Sequence, residues 1–149
     1  MVKTKMKMRF IDPDKVNLKE QTQRGKDFHG HLGPFLVIGI KMGNLALKKL
    51  NSTGYTDLKV EVETGTTPPI SCLIDGIQIS TGCTLGKGNI SVKNRGRAKA
   101  TFIKNKRKLE VELREKILNL IKKEDKDAEE LAGKVAELSE DELFIYSIY

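Results

Sequence analysis

From residue 34 to residue 50, apolar side chains cover most of the circumference of a helical wheel: Phe35, Leu36, Ile38, Ile40, Met42, Leu45, Ala46, Leu47 and Leu50. The pattern predicts a helix buried on nearly every side, and Pro34 suits its first position, where a missing amide hydrogen costs nothing. Gly39 and Gly43 are four apart and share a face. Each costs ~1 kcal/mol of helix propensity against alanine, so that face predicts a helix packed close against it, across the core or in a second copy of the chain. Elsewhere the period changes to two. Leu58, Val60 and Val62 alternate with Lys59, Glu61 and Glu63, which predicts a strand with one buried face. Ile90 and Val92 predict a short strand, while Ala98, Ala100 and Phe102 followed by Leu109, Val111 and Leu113 predict a hairpin linked by 104–107. Phe144, Tyr146 and Ile148 place a last strand within 143–149.

Polar punctuation sets the remaining elements. Asp12, Pro13 and Asp14 offer a helix start with acids near its positive end, and a short polar helix follows over 16–25, closed by Gly25. Residues 28–34 then form a loop that leads into the buried helix. A turn over 51–56 precedes the first strand. The loop 64–69 closes on Pro68 and Pro69, and Ser71 is placed to cap a helix from 72 to about 80, which Gly82 ends. Ile117, Leu118 and Ile121 mark a helix over 114–123, and Leu131, Val135 and Leu138 mark another from about 127. Ser139 and Glu142 have the spacing of a capping box. No internal repeat or low-complexity linker divides the chain. The expectation is a single α+β domain over 1–149, with an antiparallel sheet packed on the buried central helix.

Composition narrows the function classes. At 149 residues the chain can bury a core of its own. Two cysteines, without a basic and then apolar leader pattern, argue against secretion and against a disulfide framework, so the expected compartment is the cytoplasm. The long apolar segment is broken by Lys41, Asn44, Lys48 and Lys49 and falls short of a membrane span. A net charge of +7 raises nucleic-acid binding as a question. Over 104–126, however, basic residues are scattered among acids, and three Tyr and five Phe give no aromatic and basic interleaving. A charge-rich solvated surface explains that pattern more simply. The basic start over 1–9 has no periodicity and carries no assigned role.

Chemistry concentrates in two stretches. His29 and His31, one residue apart, point to the same side of an extended chain, which lets both imidazoles reach one metal ion. The positive end of the helix that begins at Pro34 favours neutral rings there, as ligation requires. Cys72 and Cys83 are eleven apart, and each taken alone reads as a small buried hydrophobe. Joined with the histidines they make a mixed nitrogen and sulfur set that favours one zinc or iron ion over calcium or magnesium. If three of the four bind, one position is left for water or substrate. Asp75 and Gln78 share the space above Cys72 and suit support of a ligand or contact with a substrate. Thr84, Lys87 and Asn89, set among Gly86 and Gly88, read either as a cradle for a small anion or as a tight turn. The competing class is a basic interaction or nucleic-acid-binding module in which His and Cys are structural.

These stretches carry a resemblance. Phe28, His29, Gly30 and His31 before a glycine-containing hydrophobic helix, Cys72 with Asp75, Gly76, Ile77 and Gln78, and then Thr81, Gly82, Cys83 and Thr84 with Gly86, Lys87, Gly88 and Asn89 resemble the FmdE family of formylmethanofuran dehydrogenase proteins. The resemblance runs from about Phe28 to the end, including Asp141, Glu142, Leu143 and Phe144. It implies an archaeal-type α+β protein that pairs as a homodimer, binds a metal near the His-Gly-His and Cys elements, and serves beside molybdopterin-enzyme subunits. Many members carry a C-terminal zinc ribbon, and this chain is expected to be a short form without it. The family places a cysteine where Gly33 stands here.

Overall fold

The buried helix is the axis of the molecule. The computed structural model describes residues 7–124 and 126–149, so residues 1–6 of the basic start lie outside the described residues. In chain order the elements are α1 (Leu18–His29), α2 (Pro34–Leu50), β1 (Lys59–Val62), α3 (Cys72–Thr81), β2 (Ile90–Val92), β3 (Lys99–Lys104), β4 (Arg107–Leu113), α4 (Glu115–Lys123), α5 (Ala128–Glu137), the one-turn α6 (Glu140–Leu143) and β5 (Phe144–Ile148). On α2 the side chains of Ile38, Ile40, Met42, Leu45, Ala46 and Leu47 are wholly buried. Most of them form one core with Val62, Ala100, Phe102, Leu109 and Val111 of the sheet.

The sheet has the order β2-β1-β3-β4-β5. Three of its pairings are antiparallel, with Val60 opposite Phe102, Phe102 opposite Leu109, and Leu113 opposite Phe144. The pairing of β1 with β2 is parallel, Val60 opposite Ile90, which corrects the expectation of a purely antiparallel sheet. The physical reason is α3, which lies between these two strands in sequence and returns the chain to the same end of the sheet before β2 begins. The α+β class holds.

The expected close approach on the Gly39 and Gly43 face is supplied within the chain, by α3. A Cβ on Gly39 would lie on the Leu73 carbonyl oxygen, one on Gly76 would lie on the Leu36 carbonyl oxygen, and one on Gly43 would overlap Ser80 Oγ. Because these partners ascend together along both helices, α2 and α3 run side by side in the same direction. Their N-termini therefore lie at the same end of the molecule.

The first helix departs from expectation at both ends. Asp12, Pro13 and Asp14 form a turn in which the Asp14 amide donates to Asp12 Oδ1 (3.0 Å). The helix starts instead after Asn17, whose side chain accepts from the Glu20 amide (3.0 Å). Gly25 does not close it. That residue faces α2, where a Cβ would meet Ile40 Cδ1 at 3.2 Å, and the helix continues to His29. Gly30, at φ 99°, is the left-handed residue that ends it, with its amide donating to the Lys26 carbonyl (2.8 Å). One turn before Gly25, buried Gln21 exchanges hydrogen bonds of 2.8 Å with Asn44 of α2 in both directions. Ser71 precedes α3 as expected but makes no side-chain cap bond, because it already lies in the right-handed helical region at the end of a turn. The capping box at Ser139 and Glu142 is formed and supports α6 immediately before β5.

Candidate metal centre

Three ends converge here: the C-terminus of α1, the turn into α2 and the N-terminus of α3. The parallel packing of α2 on α3 and the tight turn after Gly30 produce that convergence. His29 is the last residue of α1, His31 sits on the turn, and Cys72 is the first residue of α3. Their ligand atoms lie within 4.8 Å of one another, close enough for small side-chain rotations to bring all three onto one metal ion. The two imidazole centroids are 4.7 Å apart and tilted by 47°. The left-handed turn at Gly30 brings the rings together, rather than an extended strand as the sequence spacing suggests.

Asp75 stands one turn beyond Cys72 on α3, and its Oδ2 is 2.5 Å from His29 Nδ1. Gln78 Nε2 reaches the other carboxylate oxygen at 3.4 Å. The carboxylate thus orients the ring and engages one of its nitrogens. The other nitrogen, Nε2, is buried without a hydrogen-bond partner among the described residues. A neutral imidazole whose Nδ1 donates to a carboxylate presents an unprotonated Nε2, the donor a metal requires. Burial, followed by the charge of Asp75, pushes the Cys72 thiol above its usual range. A cation held between His29 and His31 would reverse that balance and favour the thiolate. Gly33, where the resemblance expects a cysteine, lies directly beside the His31 ring, a Cβ there standing 3.4 Å from Cε1.

Cys83 does not join this group. Its side chain is wholly buried, its thiol points at the Leu58 carbonyl oxygen (3.5 Å), and burial raises its pKa. It follows α3 in sequence, so the length of that helix carries it away from Cys72 and into the core. The glycine-rich loop forms a tight turn in which several of its donors are engaged internally. The Thr84 amide donates to Asn89 Oδ1 (2.9 Å), the Lys87 amide to Thr84 Oγ1 (3.2 Å), and Lys87 Nζ to the Gly82 carbonyl (2.6 Å) and Thr84 Oγ1 (3.0 Å). Asn89 Nδ2 fastens the loop to the Tyr55 carbonyl (2.6 Å).

Two spaces adjoin the centre. His29, Cys72, Asp75 and Gln78 face a cleft of about 500 Å³ whose far wall is β2, with Leu85 at its rim. His29, His31 and Cys72 also face a mainly apolar pocket of about 210 Å³, completed by Phe35, Ile121 and Leu131. The sequence pattern does not reveal the contributions of α4 and α5, since Ile121 and Leu131 read as ordinary core positions of amphipathic helices. Nor does it reveal Tyr55, Arg24 and Phe28 as the walls of a neighbouring groove, because no motif marks that role.

Comparison with known proteins gives three findings. The family profile described as FmdE, molybdenum formylmethanofuran dehydrogenase operon, matches residues 28–145. A probable S-adenosyl-L-methionine-binding protein of Archaeoglobus fulgidus is 34% identical over an alignment of 119 residues that covers 75% of this chain and 31% of that protein. The chain therefore spans about a third of the length of that curated relative. A crystal structure of a tungsten formylmethanofuran dehydrogenase FmdE-like protein from Syntrophus aciditrophicus shares the fold, with a TM-score of 0.71 at 23% identity, covering 95% of this chain and 77% of the other.

Proposed function

The chain belongs to the FmdE family, and from that premise we propose that it is a metal-binding protein in which His29, His31 and Cys72 hold one zinc or iron ion. The observation that carries this reading is the orphaned, buried Nε2 of His29 opposite an Nδ1 held by Asp75. An unpartnered buried polar atom costs about 1–3 kcal/mol, and a ring positioned so carefully on its other side is a poor candidate for that loss unless Nε2 has a ligand. If His and Cys were structural only, the cost would stand uncompensated. The mixed donor set suits zinc or iron, and three protein donors leave a position for water or a small anion. Such an ion supplies Lewis acidity toward a bound oxygen or carboxylate.

The residues around the ion have separable tasks. Asp75 fixes the His29 tautomer, Gln78 steadies Asp75, and Cys72 supplies the charge that distinguishes this site from an all-nitrogen one. Gly33 adds no side chain, so the space that a family cysteine would fill is left for a ligand. The operon named in the family description supports a role as an accessory to a molybdenum or tungsten formylmethanofuran dehydrogenase, and we extend the family's homodimer to this chain as part of the same reading.

Elemental analysis of protein purified without an affinity tag, after growth with added zinc and iron, tests the assignment. The parent is expected to hold about one equivalent per chain. His29→Ala and Cys72→Ala should empty the site, while Asp75→Asn should weaken metal binding roughly 10–100-fold and leave partial occupancy. Metal-free parent protein under those conditions would contradict the assignment and favour the interaction-module reading.

A further inference from the structure

The cleft at the metal centre does not end at Gln78. Gln78 and Leu85 line it and also line a second groove of about 490 Å³, whose other walls include Arg24, Phe28, Tyr55 and Lys87. We propose that this second groove binds a flat aromatic ring bearing an anionic group, with the ring between Phe28 and Leu85 over Tyr55 and the anion at Arg24 and Lys87, so that the rest of such a ligand reaches the metal centre past Gln78. The orientation toward the metal rests on the function proposed above. The ring and anion subsites stand on the groove's own features.

Three observations carry the proposal. The first is apolar exposure on the groove walls: Phe28 is 61% exposed and Leu85 80% exposed, although neither contributes to the core. The second is Tyr55, a non-glycine residue held at φ 61°, a backbone state that costs energy and survives only where its surroundings enforce it. Here the Tyr55 amide donates to the Thr81 carbonyl (2.8 Å), its carbonyl accepts from Asn89, and its ring lies against Gly82, where a Cβ would collide with it. The glycine-rich loop that resembled an anion cradle thus acts to hold an aromatic ring in the groove. The third is charge. Arg24 and Lys87 are the charged residues of the lining, and Glu20, which pairs with Arg24 at 3.8 Å, does so on an exposed surface. Lys87 Nζ has two acceptors and three hydrogens, and Arg24 gives Nη2 to the Ile79 carbonyl (3.1 Å) and retains other donors. An apolar slot with two cationic side chains in its lining fits a ring joined to an anion better than either part alone.

Calorimetric titration with adenosine 5′-monophosphate and phenyl phosphate, of zinc-loaded and of chelator-treated protein, tests it. Both probes should bind saturably in either preparation, with adenosine and inorganic phosphate each at least tenfold weaker. Phe28→Ala and Arg24→Gln should each weaken the phosphorylated probes at least fivefold without lowering the melting temperature. Probes that bind no more tightly than inorganic phosphate, or whose affinity survives both substitutions, would overturn the proposal. Protein that takes up no zinc yet binds the probes in this way would keep the groove and remove only the metal end.

Discussion

At the scale of single residues, glycines and one histidine nitrogen decide most of the outcome. Gly39 has no room for a methyl group, since the Leu73 carbonyl occupies its place, whereas Gly133, on the exposed face of α5, has nothing within 4 Å of a Cβ. Gly39→Ala is expected to lose about 2 kcal/mol, overpacking outweighing the ~1 kcal/mol gained in helix propensity, while Gly133→Ala should gain up to ~1 kcal/mol. Urea unfolding of the pair checks this, and equal effects would show that α3 does not approach α2 as described. The Gly39 and Gly43 signal was legible in the sequence because a double propensity cost on one face is offset only where another backbone packs close to it. The two cysteines were not separable that way. Cys72 and Cys83 are the same residue type in one motif-rich stretch, and only the rise of α3 places one at the centre and the other in the core.

Among elements, the connection from α2 to β1 shows how a short turn is held. Ser52 Oγ donates to Asp57 Oδ1 (2.5 Å), the Thr53 amide donates to Oδ2 (3.1 Å), and Lys104 Nζ lies 3.5 Å from the same carboxylate. Burial alone would raise the Asp57 pKa, but Ser52, Thr53 and Lys104 together outweigh it and hold the carboxyl below its ordinary range. A carboxyl depressed in the folded state adds stability above its unfolded pKa, near 3.9, and loses it as pH falls through the lower folded value. The stability difference between the parent and Asp57→Asn should therefore be present at pH 6 and shrink below about pH 4. Denaturant midpoints across that range measure it, and a difference constant with pH would remove the ionic account. Element identity was well marked where the period was strong, as in α2 and the β3–β4 hairpin. It failed where a glycine has two uses: Gly25 resembles a helix stop and is a packing contact, so the pattern cuts short the helix that carries His29 and assigns the histidine to a loop. The parallel β1–β2 pair was not legible either, because three residues of β2 show alternation but not direction.

For the whole molecule, the decisive arrangement is that α1 ends, α2 begins and α3 begins at one place. No local pattern specifies that convergence; it follows from α2 and α3 running in the same direction through their glycine contact. Part of the positive charge is taken up in pairs beside the sheet, as with Arg97 and Glu112 (2.9 Å) and with Arg95 and Lys99 about the buried Glu63 (3.0 and 3.7 Å). Among the described residues no helix is long and apolar enough to cross a membrane. What the fold builds at its convergent end is a small set of nitrogen and sulfur donors with one ring already oriented. Cobalt(II) uptake read by absorption spectroscopy tests that set most directly, because a thiolate ligand adds a sulfur-to-cobalt charge-transfer band in the near ultraviolet. The donor set His29, His31 and Cys72 predicts this band in the parent and in Cys83→Ser, and its loss in Cys72→Ser. A band that survives Cys72→Ser, or disappears in Cys83→Ser with the fold intact, would contradict it.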